Sequence, residues 1–304
     1  MAQGCSFIFL LCCLLFFIPF PVASSASGLS AVRILYTADT LGQIHPCRTC
    51  GETSQGGIAR RAALLKNYAA VWPQTLILGG PYEFYSDHKA GLPDVAEHLA
   101  PVLHVVYCSM PYTAIYLGPA TTADWQRRNL PFPGNAVPVA EQPVTRIFPA
   151  GDLTVACIFL PSGTGKNGGP APEQLLAAQI AAKEAASSAD LVIAISPWGI
   201  LAENALPYSF SGYFHIILGG GDGIAIPGQP TGDPGFPGPL WLRSDRRGRA
   251  VNELLIFSLP DFGNPWIEGL HFSSRLNFLD VGLPQDVAVL NQIKKLEQLP
   301  FQIE

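Results

Sequence analysis

Residues 34–46, ILYTADTLGQIHP, followed by residues 56–62, GGIARRA, contain the pattern of a strand, a loop and the start of a helix. The apolar run at 33–37 is typical of a buried strand, and Asp39 comes just after it. Ile58, Ala62 and Leu65 recur at the spacing of one helical face, which Tyr68 continues. A strand that leads through a loop into a helix predicts the first unit of an α/β domain.

The rest of the chain repeats this alternation. Apolar runs predict further strands at 75–78, 114–117, 153–160, 191–195 and 215–218, and periodic segments predict helices at 57–68, 172–188 and 284–299. The order predicts an α/β fold with largely parallel sheets. Residues 240–242 and 253–258 are expected to pair as an antiparallel hairpin through a turn at 244–249. The Gly/Pro-rich stretch 219–239 is expected to be a long loop inside a single domain.

Composition limits the classes of partner. The chain has 304 residues, of which 48% are hydrophobic and 13% charged, with a formal net charge of −5. That length suffices for one large domain with a well-buried core. Nucleic acid is not expected as a partner, because phosphate binding needs a basic surface. The densest basic cluster contains Asp245 among four arginines and predicts a solvated hairpin turn: Arg243, Arg246, Arg247 and Arg249.

The N-terminus predicts export. Residues 1–27 combine an apolar run at 7–20 with small residues at 22–27, which is typical of a signal peptide cleaved after one of residues 23–27. No basic residue precedes the apolar run, so an uncleaved N-terminal anchor remains an alternative. The expected location is periplasmic or extracellular, with membrane contact only if the leader is retained. The remaining chain, 31–304, is expected to form the single folded domain.

Removal of the leader leaves four cysteines, and export permits disulfides among them. Cys157 lies in an apolar run and is expected to be an inert core residue. Cys108 follows the strand-like segment 105–107 and is not assigned a role. Cys47 and Cys50 form a Cys-x-x-Cys motif, the one pair close enough in sequence to be judged.

Six segments in order resemble the 5′-nucleotidase/UDP-sugar hydrolase family of calcineurin-like metallophosphoesterases. Residues 34–46 with 56–62 are similar to the family's first strand and its Gly-Gly-x-Ala-Arg helix. The later landmarks are 76–80, 112–118, 190–196, 214–220 and 279–286. The resemblance covers about residues 31–300 and implies a four-layer α/β/β/α sandwich with its site at the carboxyl ends of the strands. The family's C-terminal nucleotidase domain is expected to be absent.

The resemblance also implies a ligand set for two metal ions, and the sequence departs from it. Asp39 stands at a ligand position, whereas the other expected donor positions are occupied by Leu41, Pro81, Pro119, Ala120, Pro197, Gly221 and Gly223. These side chains cannot coordinate a cation. Asp39 is therefore expected to be a vestigial ligand position without bound metal, and capping of a loop amide is an equally good interpretation. Asp39, Pro81, Ala120, Pro197 and Gly221 are expected to meet near Cys47.

The Cys47-x-x-Cys50 loop leaves three interpretations open. The pair forms a structural disulfide, acts as a redox dithiol, or contributes to a metal or other binding site. Arg48 is suited to stabilise a thiolate, and some degenerate members of the family resemble selenoproteins, which favours redox chemistry. The aromatic residues of segment 82–85, namely Tyr82, Phe84 and Tyr85, either line a pocket or pack in the core, as do Trp198 and Trp241.

The sequence therefore predicts an exported, catalytically degenerate metallophosphoesterase-fold protein that acts as a binding, accessory or thiol-redox protein. No cofactor is expected, and the partner is an unidentified small molecule or exported protein. The alternative is a residual hydrolase of nucleotides or other phosphoesters that uses a divalent ion such as Mn, Zn or Fe.

Overall fold

A computed structural model of the chain describes residues 32–47, 54–84, 100–233, 235–261 and 263–297. Within these residues the strands are β1 (Val32–Thr37), β2 (Leu76–Gly79), β3 (Ala114–Leu117), β4 (Ala136–Pro138), β5 (Val144–Ala150), β6 (Leu153–Phe159), β7 (Leu191–Ser196), β8 (Ile216–Gly219), β9 (Ile226–Asp233), β10 (Phe236–Arg243), β11 (Ala250–Ile256) and β12 (Phe272–Phe278). The α-helices are α1 (Ile58–Val71), α2 (Ala100–Ser109), α3 (Pro119–Arg127), α4 (Pro172–Ala185), α5 (Gly199–Glu203), α6 (Leu206–Phe210) and α7 (Val287–Glu297).

The strands form two six-stranded sheets. The first has the order β12-β11-β1-β2-β3-β4 and the second the order β5-β6-β7-β8-β10-β9. Strands β1 to β4 run parallel to one another, as do β6, β7, β8 and β10, while antiparallel strands complete both sheets. The carboxyl ends of the parallel strands therefore lie together at one edge of each sheet.

Alternating side chains build the four layers. In β1, Ile34 and Tyr36 belong to a core shared by both sheets, whereas Leu35 packs with helix residues such as Leu65. On the second sheet, Ile193 joins the shared core, while its neighbours in β7 pack against α4, α5 and α6. Because successive strand residues point to opposite faces, each sheet can pack on the other sheet and on helices at once. The predicted α/β/β/α sandwich is confirmed.

Two predictions for residues 219–258 are wrong. The expected long loop at 219–239 contains β9 and the first half of β10, which pair antiparallel. The prolines of β9 are tolerated because β9 is an edge strand, which has a neighbouring strand of its sheet on one side only. A proline whose nitrogen faces the other side removes no hydrogen bond from the sheet. Strands β10 and β11 do not form the expected hairpin, because β10 pairs with β8 and β9, and β11 with β1 and β12. The segment 244–249 instead connects the two sheets.

The segment before Cys108 is helical, not a strand. It lies in α2, where Leu103, Val106 and Tyr107 are buried at helical spacing, while Val105 is exposed. Helical packing thus outweighs the strand propensity of two adjacent valines. Cys108 is exposed and Cys157 is buried, and both thiols are free. Among the described residues, no helix is long and apolar enough to cross a bilayer. The predicted signal peptide lies outside the described residues.

Candidate functional site

Asp39 lies in the loop that follows β1, and its backbone is fixed from two sides. Its amide donates to Pro81 O at 3.1 Å, and its carbonyl accepts from Arg247 N at 2.7 Å. Both Asp39 and Leu41 have φ values of 55° in the left-handed region. The amide of Leu41 donates to Tyr82 O at 2.8 Å, which joins this loop to the segment after β2. The Asp39 side chain is thereby held at the carboxyl ends of the first sheet.

The carboxylate of Asp39 accepts a hydrogen bond across the two sheets. Its Oδ1 accepts from the amide of Gly221 at 2.7 Å, and the residue is 2% exposed. Gly221 follows β8, so this bond joins the strand ends of the two sheets. The interpretation of Asp39 as an acceptor for a loop amide agrees with this contact. Asp222, the next residue along the chain, points elsewhere: its carboxylate lies 3.6 Å from Arg246 and its side chain is 66% exposed.

Three of the positions at which the resemblance implies metal ligands meet around this hydrogen bond. A Cβ built on Gly220 would lie 2.6 Å from Pro81 Cγ, so Pro81 packs directly against the glycines after β8. A Cβ on Gly221 would lie 3.2 Å from Pro197 O, which also accepts the Tyr82 hydroxyl at 2.8 Å. The expected convergence is thus present for Asp39, Pro81, Pro197 and Gly221. Ala120 is the second residue of α3, which follows β3, and it is exposed.

Beside Asp39, the first sheet carries a buried ion pair. Arg61 of α1 donates to Glu83 Oε2 at 2.9 Å, and both side chains are at most 1% exposed. Glu83 also accepts the Tyr107 hydroxyl at 2.7 Å and the hydroxyls of Thr37 and Thr40. Arg61 in turn donates to Thr40 Oγ1 at 2.6 Å and Tyr107 Oη at 3.1 Å. The network fixes the loop after β1 to α1 and α2.

The second sheet carries a matching pair, Arg243 with Glu203. Both side chains are at most 1% exposed, and Arg243 donates to Glu203 Oε2. Trp241 Nε1 donates to the same oxygen at 3.2 Å, and Arg243 Nη2 donates to Gly221 O at 2.9 Å. The prediction of a solvated arginine turn is therefore wrong for Arg243. Arg243 does not belong to the turn, because it is the last residue of strand β10.

Burial governs the titration of these groups. It raises the pKa of Asp39 well above its usual range, and the Gly221 amide and the Arg243 charge only partly oppose this. Burial likewise raises the pKa of Glu203, with Arg243 acting against it. The pKa of Tyr112, whose hydroxyl lies 2.9 Å from Thr37 Oγ1, is raised to about 12, first by burial and then by the Glu83 charge. This region thus contains three carboxylates and two guanidinium groups. Glu83 and Glu203 pair with the guanidinium groups, whereas Asp39 accepts a hydrogen bond from an amide.

The side chains at the strand ends do not match what a two-metal centre needs. Such a centre holds two ions about 3.5–4 Å apart and draws its ligands from several side chains. Within the described residues, no group of three or more His, Cys, Asp or Glu side chains could hold a metal ion. Asp39 Oδ1 is engaged by an amide, and Glu83 and Glu203 are engaged by arginines. These side chains are therefore already engaged within the protein and do not form the ligand set of a two-metal centre.

Cys47 lies close to the Asp39 loop. It is disulfide-bonded and 7% exposed. Its partner is not among the described cysteines, and the predicted partner Cys50 lies outside the described residues. The Cys47 amide donates to Gln55 O at 2.8 Å, and Arg247 Nη1 lies 3.9 Å from Cys47 Sγ. Since the Arg247 amide also donates to Asp39 O, Arg247 contacts both Cys47 and the Asp39 loop.

The charged residues that organise this site could not be identified from the sequence patterns. A charged residue between apolar neighbours was the available signal: Glu83 stands between Tyr82 and Phe84, and Arg243 ends an apolar strand. Neither signal identifies the residue with which the charge pairs, because that residue lies on another element of the fold. Four of the aromatic residues left open by the sequence belong to the core, since Tyr82, Phe84, Trp198 and Trp241 are buried, while Tyr85 lies outside the described residues.

Solved structures resemble this fold. The chain matches the 5′-nucleotidase precursor from Thermus thermophilus with a TM-score of 0.66 at 18% identity, over 88% of this chain and 59% of that chain. It matches the sulfate thiohydrolase SoxB from the same organism with a TM-score of 0.64 at 15% identity, over 87% of this chain and 60% of that one. For the calcineurin-like phosphoesterase YfkN from Bacillus subtilis, the TM-score is 0.59 and the identity 16%, over 88% and 97% of the two chains.

These likenesses identify the fold as that of the 5′-nucleotidase-like metallophosphoesterases, as the sequence motifs predict. The chain spans about three fifths of the length of the first two structures, whose coverage is 59% and 60%. No protein-family model and no curated protein matches the chain. At such low identity, the likeness extends to the fold and leaves the activity to be inferred from the site.

Proposed function

We propose that this chain is an exported protein that keeps the metallophosphoesterase fold without hydrolysing phosphoesters, and that it serves a binding, accessory or thiol-redox role. One observation carries the proposal: the strand ends are bonded to each other. The Asp39 carboxylate accepts the Gly221 amide at 2.7 Å, and Pro81 packs against Gly220. In-line displacement by two metals needs ligands directed into an open cavity between these strand ends. Proline and glycine at these positions supply none.

Phosphate release tests the proposal directly. Purified protein is incubated with AMP and a UDP-sugar, with Mn²⁺ or Zn²⁺ and with chelator, beside the Asp39→Ala variant as the matched control. We expect no metal-stimulated release above that of the variant. Robust Mn²⁺- or Zn²⁺-stimulated release from AMP that Asp39→Ala abolishes would contradict the proposal. Metal analysis of the purified protein separates a residual mononuclear hydrolase, which needs stoichiometric bound metal, from the protein proposed here.

Export is part of the proposal and has its own test. The apolar run at 7–20 and the small residues at 22–27 support cleavage of a signal peptide in an exporting cell. N-terminal sequencing of the mature protein should give a start between residues 24 and 28, in agreement with the predicted cleavage range. An intact N-terminus on membrane-associated protein would support the anchored form instead.

A thiol-redox role is the favoured form of this function, because Cys47 is disulfide-bonded beside a guanidinium group. Cys50 is its proposed partner, from the Cys-x-x-Cys spacing. The reduction potential decides between a redox pair and a structural disulfide. A potential below about −300 mV, without exchange with glutathione, would make the pair purely structural. A potential in the range of glutathione-coupled pairs would support the redox role.

A further inference from the structure

Arg247 is held in place by its backbone. Its φ of 58° lies in the left-handed region, which costs a residue with a Cβ about 1–2 kcal/mol. Its amide donates to Asp39 O at 2.7 Å. Its carbonyl lies against the loop that carries Cys47, since a Cβ built on Gly56 would be 3.5 Å from Arg247 O. These contacts on both sides fix where the side chain starts.

The side chain of Arg247 reaches the sulfur of Cys47. Arg247 Nη1 lies 3.9 Å from Cys47 Sγ, within the range of a hydrogen bond to sulfur. Cys47 is only 7% exposed, and its amide is bonded to Gln55 O. A buried thiol ordinarily resists ionisation, whereas an adjacent guanidinium favours the thiolate. The two residues are 200 positions apart, so the fold creates this pairing.

We propose that Arg247 promotes reduction of the Cys47 disulfide by stabilising Cys47 as the leaving thiolate. This inference rests on the thiol-redox form of the proposed function. A thiolate of a small dithiol attacks the sulfur bonded to Cys47, because Cys47 itself is buried. A mixed disulfide forms, the bond to Cys47 Sγ breaks, and Cys47 takes the electron pair. Leaving thiols with a lower pKa leave faster, so a guanidinium beside Sγ accelerates this step.

The reaction is completed by the same dithiol. Its second thiolate attacks the mixed disulfide, releases the partner cysteine as a thiolate and closes the reductant into a cyclic disulfide. Two electrons pass from the dithiol to the protein disulfide, and the two protons from the dithiol end, through solvent, on the protein thiols according to their pKa values. Arg247 supplies charge and is not consumed.

Arg246 provides a matched control in the same turn. Its guanidinium is directed at Asp222, 3.6 Å away, and its side chain is 45% exposed. Substitution of either arginine removes one positive charge from the same surface. A general effect of net charge would therefore change both variants equally, whereas the proposal requires a difference between them.

The test measures reduction by dithiothreitol in the full chain. Four proteins share a Cys108→Ser background, which removes the exposed free thiol: the parent, Arg247→Asn, Arg247→Lys and Arg246→Asn. Asparagine tolerates the left-handed conformation and removes the charge. Timed alkylation and peptide mass spectrometry follow the Cys47 thiol and identify its disulfide partner. Circular dichroism confirms that each variant is folded.

We expect Arg247→Asn to slow reduction by about three- to tenfold, Arg247→Lys to keep most of the rate, and Arg246→Asn to match the parent. Raising the salt concentration should reduce the difference in rate between the parent and Arg247→Asn, because Arg247 is exposed and salt screens its charge. Equal rates for the parent and Arg247→Asn, or equal slowing by both Asn variants, would overturn the inference.

A second measurement does not depend on the variant's folding. In the reduced parent, the pH profile of Cys47 alkylation should give a thiol pKa below the ordinary value of about 8.5. A higher value would overturn the inference as well. The two proposals fail separately: a potential below about −300 mV removes the redox function, even if the effect of Arg247 on dithiothreitol reduction stands.

Discussion

The buried pair Arg61–Glu83 gives the sharpest test of how the strand ends are held together. We consider Arg61→Met, which keeps the length of the side chain and removes its charge. The substitution deletes donors that lie 2.9 Å from Glu83 Oε2, 3.1 Å from Tyr107 Oη and 2.6 Å from Thr40 Oγ1. Glu83 then remains buried without its guanidinium partner.

The cost follows from the charge that is left behind. Removing one partner of a buried ion pair destabilises a protein by about 3–5 kcal/mol, because the remaining charge has no counterion. Glu83 keeps hydroxyl donors from Tyr107 and from two threonines, so we expect the lower end, about 3 kcal/mol. In Arg61→Met/Glu83→Gln no unpaired charge remains. The pair should therefore show a coupling of about 2 kcal/mol in the double-mutant cycle.

Equilibrium unfolding in urea measures the four free energies of unfolding. Arg60→Met is the matched control, since Arg60 is also buried, at 7% exposure, but donates to main-chain carbonyls, among them Gly56 O at 3.0 Å. It should cost less, about 1–2 kcal/mol, because the partners of Arg60 among the described residues are neutral carbonyls. Additive effects of Arg61→Met and Glu83→Gln, within about 0.5 kcal/mol, would refute the reasoning.

Two further predictions concern burial. Burial lowers the pKa of His215 from 6.5 to about 4, so acid protonates the unfolded chain first and stability should fall by about 3 kcal/mol from pH 6.5 to 4. Urea titrations at several pH values should show this loss in the parent and in the exposed control His45→Asn, whereas His215→Asn should lose little stability over the same pH range. If the free energy of unfolding of His215→Asn falls with pH as steeply as that of the parent, His215 is excluded as the cause. A Cβ on Gly80 would overlap the buried Tyr36 hydroxyl, so Gly80→Ala should destabilise the protein by about 1–3 kcal/mol. Gly134 lies in open space, so Gly134→Ala should leave the stability unchanged. Equal melting temperatures for the Gly80→Ala and Gly134→Ala variants would contradict this packing.

Much of the fold could be predicted because its elements have local sequence patterns. The strand predicted at 33–37 is β1, and the helix predicted at 57–68 corresponds to α1. Such elements have apolar runs or periodic faces that owe little to distant residues. Prediction failed at β9, where proline and glycine indicated a loop, because only its edge position in the sheet makes a proline-containing strand possible. It failed at α2 because packing selected a helix for adjacent valines.

The candidate site was predictable only as a set of positions. The motif order placed Asp39, Pro81, Pro197 and Gly221 at strand ends, and the structure brings these four together. It could not indicate that Asp39 would accept an amide from the opposite sheet. That hydrogen bond spans 182 residues and forms only when the two sheets pack.

By itself, the sequence determined the layered architecture and the residue types that stand at the strand ends, because both depend on which residue occupies each position. Only the tertiary structure decided which charges meet. Arg61 pairs with Glu83, Arg243 pairs with Glu203, and Arg247 reaches Cys47 across separations of 22, 40 and 200 residues. Side-chain charges interact strongly only within a few ångströms and away from water. Chain folding alone creates that proximity and that burial.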